Sequence, residues 1–190
     1  MLIVGLGNPG KEFEHTFHNV GFLCVDALCK VLNGKFNIKA CDAVIAKCIF
    51  EGKQIILAKP QTYMNRSGDS VAKLKKKFNV KDNEILTISD DIDLNIGTFR
   101  FRESGSAGTH NGLRSIVFSL NSTLFKRIRI GIGKNQGDLA EYVLSKMSGE
   151  IYEVISSVID QVVDFVLTNV LGSEKWQALK NLNKIQKSNN

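Results

Sequence analysis

No run of apolar residues in the chain approaches the roughly 20 needed to cross a bilayer. The start, Met1-Leu2-Ile3-Val4-Gly5, also lacks the basic segment that opens a secretory signal. The expectation is a cytoplasmic protein without membrane contact. Paired cysteines are missing as well: Cys24, Cys29, Cys41 and Cys48 stand singly in apolar-patterned segments, with no C-x-x-C pair and no histidine at metal-ligand spacing nearby. That argues against a disulfide framework or a zinc centre and for reduced core thiols. There is no internal repeat and no linker, so the 190 residues read as one domain, with a disordered end from Gln186 to Asn190.

Acidic residues are nearly absent from one stretch. Residues 97–134 hold seven basic side chains (Arg100, Arg102, Arg114, Lys126, Arg127, Arg129 and Lys134) against the single acid Glu103. This segment accounts for the whole formal charge of +6. A solvated face ordinarily interleaves signs, so a one-signed stretch suits an anionic partner such as a phosphate backbone.

Periodicity sketches the remainder. Leu2-Ile3-Val4 is a short buried strand that breaks into the glycine-rich loop Gly5-Leu6-Gly7-Asn8-Pro9-Gly10. Helical spacing runs from Val20 to Leu32 and stops at Asn33-Gly34; Ala43 to Phe50 and Gln54 to Ala58 form a hairpin that Pro60 ends. A second helix follows Ser67-Gly68-Asp69, with Val71, Leu74 and Phe78 inward. Glu84 to Ser89 is a strand that runs out into the acidic turn Asp90-Asp91-Ile92-Asp93.

Arg100 and Arg102 alternate with Phe99 and Phe101, and Arg127 and Arg129 with Ile128 and Ile130, as strands with one basic face each. Leu113 to Leu120 and Ile151 to Val166 complete the amphipathic helices, and a short last helix is expected around Trp176, Leu179 and Leu182. Together these predict an α/β fold with a mixed twisted sheet sandwiched between helices.

A hydrolase near neutral pH most often uses histidine as its base, and there are three. His15 lies in a polar loop and reads as a surface residue. His18 sits where the glycine-rich loop meets the first helix, and His110 sits between Thr109 and Asn111 at the start of another. Asp90, at a strand's carboxyl end, is the kind of carboxylate that fixes a histidine tautomer. Asn65 and Asn111 lie in glycine-bounded turns, where they either donate amide N–H groups to an oxyanion or cap a helix.

Gly5-Leu6-Gly7-Asn8-Pro9-Gly10 matches the dinucleotide pattern G-x-G-x-x-G, but no helix opens at its third glycine, which leaves an NAD-dependent oxidoreductase as a weak alternative. Ser106 has Ser104 where a nucleophile elbow needs a glycine two residues before its serine, so water is the better nucleophile.

Six stretches in register resemble the bacterial peptidyl-tRNA hydrolase family: Val4 to Gly10, Thr16-Phe17-His18-Asn19-Val20-Gly21, Pro60 to Gly68, Asp90 to Leu94, Gly108-Thr109-His110-Asn111-Gly112-Leu113 and Arg129 to Gly133. The resemblance implies a monomeric, metal-free and cofactor-free esterase that cuts the bond between peptide and tRNA. It implies that His18 is the general base, Asp90 its partner, and that Asn8, Phe13, Tyr63, Met64, Asn65 and Asn111 hold the substrate. Arg100, Arg102, Arg114, Arg127 and Arg129 are then expected to meet the acceptor arm and 3′ end of the tRNA. Phe13 and Phe17 stand where that family often has Tyr and Arg, which points to altered contacts at the cleft rim. A non-catalytic RNA-binding module on the same fold is the alternative from another class.

Overall fold

The computed structural model describes residues 1–134 and 137–173. A seven-stranded mixed sheet is built from β1 (Leu2–Gly5), β2 (Ile38–Ala40), β3 (Ala43–Phe50), β4 (Lys53–Pro60), β5 (Ile85–Asp91), β6 (Phe99–Arg102) and β7 (Lys126–Gly131). Its order is β2-β3-β4-β1-β5-β7-β6. The strands β4, β1, β5 and β7 run parallel, while β2, β3 and β6 are antiparallel to their neighbours. The hairpin turn between β3 and β4 places Glu51 and Gly52 at positive φ, as a tight two-residue turn requires.

The helices are α1 (Val20–Val31), α2 (Ser67–Phe78), α3 (Asn111–Leu120), α4 (Leu139–Leu144) and α5 (Gly149–Phe165), the last running on into a π turn at Val166–Val170. Because side chains alternate across a strand, β1 sends Ile3 to one face and Leu2 and Val4 to the other. The first face packs with Val20, Cys24 and Leu28 of α1 and with Ile155, Val158 and Val162 of α5. The second packs with Val71 and Leu74 of α2 and with Leu113 and Ile116 of α3.

The expected α/β sandwich is therefore present. Its helices and strands lie within a few residues of the predicted ones, and β2 and α4 are additional. Cys24, Cys29 and Cys48 are buried, Cys41 is half-buried, and all four are free. The helix expected around Trp176 and the end from Gln186 lie outside the described residues. No helix among those described is long and apolar enough to cross a membrane.

Glycines set how closely the helices approach the sheet and one another. A Cβ at Gly21 would stand 2.3 Å from the Ile88 carbonyl oxygen, and one at Gly5 would stand 2.2 Å from the Gly21 carbonyl oxygen. Only glycines let α1 sit directly on β1 and β5, so the turn before α1 is drawn to the end of β5. Likewise, a Cβ at Gly68 would meet the Ser115 carbonyl oxygen at 2.1 Å, so the start of α2 lies against α3.

Candidate active site

The chain leaves β1 towards β4 on one side and returns to β5 on the other. The carboxyl ends of these strands thus border a switch point, the usual place for a site in such a sheet. A cavity of about 550 Å³ opens there. Asn8 reaches it from the loop after β1, Tyr63, Met64 and Asn65 from the turn after β4, Asp90 from the end of β5, and His110 and Asn111 from the start of α3.

His18 and Asp90, 72 residues apart, meet here: His18 Nδ1 lies 2.9 Å from Asp90 Oδ1. The same oxygen is 3.1 Å from His110 Nε2, a contact that sequence reasoning missed. His110 is the N-cap of α3, and its Nδ1 accepts the Leu113 N–H at 3.2 Å. An accepting nitrogen carries no proton, so the proton of His110 sits on Nε2 and is donated to Asp90. Both nitrogens of His110 are thereby occupied. His18 faces the same carboxylate through Nδ1, and its Nε2 is engaged by no group among the described residues, which is the nitrogen a base would use.

Asp90 is 2% exposed. Burial pushes its carboxyl up, but the nearby His110 and His18, which also donate to it, outweigh burial and hold its pKa well below the usual carboxylate range.

Counted as ligands, His18, Asp90 and His110 place donor atoms within 4.8 Å of one another, the density of a metal site. The capping bond opposes that use. To ligate through Nε2, His110 would have to move its proton to Nδ1, directly against the Leu113 N–H. The set fits a hydrogen-bonded relay better than a metal centre.

Asn8 is nearly buried, and its side-chain oxygen accepts the Met64 N–H at 2.8 Å. What it can offer a ligand is therefore its amide N–H. Asn19, which sequence reasoning passed over, fixes this loop by accepting the Asn8 N–H at 2.8 Å and donating to the Asn8 carbonyl at 3.0 Å. Neither Asn65 nor Asn111 caps a helix. His110 caps α3, no side chain caps α2, and both asparagines are exposed at the cavity with amides that no described residue engages.

Tyr63 lines the mouth at φ 58°, ψ 163°, a region that is otherwise almost confined to glycine. Phe13 does not line the cavity but packs edge-on against Tyr63, with ring centroids 6.3 Å apart. Phe17 is buried against Tyr142 of α4 at 4.7 Å, so the expected change at the cleft rim is instead a core contact. His15 is exposed, meets Tyr152 edge-on and lies outside the cavity. A further wall was not foreseen: Leu139, Ala140, Val143 and Leu144 of α4 line the cavity with apolar surface.

The five arginines divide. Arg100 and Arg102 are exposed on the edge strand β6, without a carboxylate partner among the described residues. They pair across the ladder with Arg129 and Arg127, so like charges stand opposite each other. Among the described residues, exposed Arg114 spends only Nε, on the Gly108 carbonyl. Arg129 faces the cavity and is bonded to Asp91 at 3.2 Å and to the Ser106 carbonyl at 3.1 Å.

Arg127 corrects the expectation. It is 1% exposed, donates to the carbonyls of Ser106, Thr123 and Phe125, and lies over the Phe125 ring. Burial, and secondarily the charge of Arg129, push its pKa down to about 10, so it stays charged but faces no solvent. Its work is to tie the loop before His110 to β7. Arg127→Ala should therefore lower unfolding stability by about 2–4 kcal/mol in urea titration, because it strands buried carbonyls. An unchanged urea midpoint with weakened RNA binding would instead make Arg127 a phosphate contact.

Comparison with known proteins bears on the family and the fold. The sequence profile of the family described as peptidyl-tRNA hydrolase matches residues 2–190. The peptidyl-tRNA hydrolase of Clostridium beijerinckii is 45% identical over 159 residues, 84% of this chain and 83% of that one. That of Chloroflexus aggregans is 45% identical over 183 residues, 95% and 96% of the two chains. The crystal structure of peptidyl-tRNA hydrolase from Acinetobacter baumannii superposes with a TM-score of 0.85 at 35% identity, covering 97% of this chain and 93% of that one. With the profile, the relatives and the fold in accord, the chain belongs to the peptidyl-tRNA hydrolase family.

Proposed function

We infer that the chain hydrolyses the ester between a peptide and the 3′-terminal ribose of tRNA, releasing both, with His18 as general base. The family membership carries the reaction, and the His18–Asp90–His110 geometry carries the assignment of the base. Of the two histidines on Asp90, only His18 retains an unengaged nitrogen. Its Nε2 takes a proton from water as that water attacks the ester carbonyl, and the resulting imidazolium, facing ionised Asp90, returns the proton to the leaving ribose oxygen.

Amide N–H groups of Asn65 and Asn111 are available to the developing oxyanion, and that of Asn8 to the peptide carbonyl or the ester. The apolar wall of α4 suits the side chains of a peptide. No step calls on a metal, so turnover should be the same in excess EDTA as in added Mg²⁺ or Zn²⁺. Loss on chelation with recovery on one cation would place a metal in the His18–Asp90–His110 cluster after all.

The acceptor arm would lie along β6 and α3. Arg100, Arg102 and Arg114 are cations with free donors there, and phosphates would relieve the repulsion between opposed arginines. Neutralising Arg100 and Arg102 together should raise KM, leave kcat in place and flatten the dependence of log KM on log salt by up to about two units. An unchanged salt slope in KCl titrations would move the docking surface elsewhere. The reaction itself is tested by release of peptide from an N-blocked aminoacyl-tRNA; RNA binding without release would favour the non-catalytic module.

A further inference from the structure

Phe118 is the most exposed large apolar side chain among the described residues, at 88%. It belongs to α3, whose inward face is Leu113 and Ile116, and whose outward stripe is Asn111, Arg114, Phe118 and Asn121. The stripe begins in the cavity at Asn111 and leads away from it. Phe118 is seven residues beyond Asn111, which is about 10 Å along the helix axis. Its ring is in stacking range of no other aromatic or cation among the described residues.

A membrane or an apolar protein partner would call for a contiguous apolar patch. The residues that share the stripe are instead two asparagines and an arginine, within the segment that carries all the net positive charge. Arg114 stands one turn nearer the cavity with its terminal nitrogens unengaged. A lone flat ring beside a guanidinium with open terminal nitrogens, in a field that attracts polyanions, matches the two contacts that hold single-stranded nucleic acid: a base on an aromatic face and a phosphate on a cation.

We propose that Phe118 is a stacking platform for an unpaired nucleobase of the RNA's 3′ tail, about three stacked nucleotides upstream of the esterified ribose. The proposal rests on the hydrolase reading, which puts that ribose at Asn111 and His18. Phe118 then acts as a positioning residue: it fixes the tail's register, so that the ester enters the cavity while Arg114 holds the intervening phosphate.

The test compares Phe118→Ala and Phe118→Trp with wild type on two substrates, N-acetyl-aminoacyl-tRNA and the corresponding N-acetyl-aminoacyl-adenosine, which has no upstream nucleotides. Phe118→Ala is expected to raise KM for the tRNA substrate about 10-fold or more with kcat retained, and Phe118→Trp to restore it. The loss should be confined to the substrate that carries upstream nucleotides. An unchanged KM on tRNA, an equal loss on both substrates, or an effect on self-association in sedimentation without one on KM would each overturn the proposal. If wild type hydrolyses neither substrate, the hydrolase reading fails by itself. Stacking is then still decided by whether 2-aminopurine in a short 3′-tail RNA is quenched by wild type and not by Phe118→Ala.

Discussion

His18→Ala is expected to lower kcat by about 10²–10⁴ while the protein melts close to the wild-type temperature. Geometry gives the reason for the first part. Among the groups at the cavity, Nε2 of His18 is the imidazole nitrogen left free to accept a proton, since Asp90 takes the Nδ1 side and His110 is engaged at both nitrogens. The fold does not lean on the ring. The turn that carries it is held by backbone bonds, Phe17 N–H to the Ser145 carbonyl at 3.3 Å and Asn19 N–H to the Thr16 carbonyl at 3.1 Å. Single-turnover release from N-acetyl-aminoacyl-tRNA, with a melting curve on the same preparation, checks both parts. A folded variant with near-normal turnover would remove His18 from the mechanism.

The second large effect is on charge rather than shape. In Asp90→Asn the side-chain oxygen can still accept from both His18 and His110, so the arrangement should survive. What is lost is the negative charge that faces the imidazolium formed as His18 takes its proton. We expect kcat to fall by about 10²–10⁴ with KM little changed.

The direction of the Asp90 shift supports using an uncharged mimic. The wild-type carboxyl, held well below the ordinary range by the two histidines, is ionised at any pH where turnover would be measured. A depressed folded pKa contributes stability that is fully present above the ordinary carboxylate range and lost only as the pH falls through the lower folded value. Ordinary assay conditions therefore leave the pair intact in wild type. Wild-type turnover in Asp90→Asn would show that the carboxylate serves geometry alone, and ¹⁵N spectra of the imidazoles would then show His18 still protonated on Nδ1.

Much of the fold was legible because burial imposes periods on the sequence. The alternation at Phe99–Arg102 was enough to place both phenylalanines inward, where they pack on Phe165 of α5 at 5.6 and 5.2 Å. Elements too short to show a period were missed. In the three residues of β2, Ile38 and Ala40 are only half-buried and Lys39 is exposed, and they owe their strand to pairing with β3. The six residues of α4 are held by Phe17 packing on Tyr142 and by the Tyr142 hydroxyl donating to the Ile132 carbonyl at 2.5 Å. Arg127 shows the same limit from another side: alternation puts it on the basic face, but what covers that face is decided elsewhere. A loop carbonyl at Ser106 covers it on the inner strand β7, whereas the edge strand β6 leaves Arg100 and Arg102 in solvent.

By itself, the sequence determined the class of fold, the local nature of each loop that carries a polar side chain, and the stretch that holds the positive charge. These depend on residues near one another in the chain. Tertiary structure alone decided which side chains meet and which nitrogen keeps its proton. His18 reaches Asp90 because two glycines without Cβ atoms let α1 close onto β1 and β5. Of the two histidines on that carboxylate, His18 alone keeps an unengaged ring nitrogen, because the Leu113 N–H at the start of α3 already occupies the other nitrogen of His110.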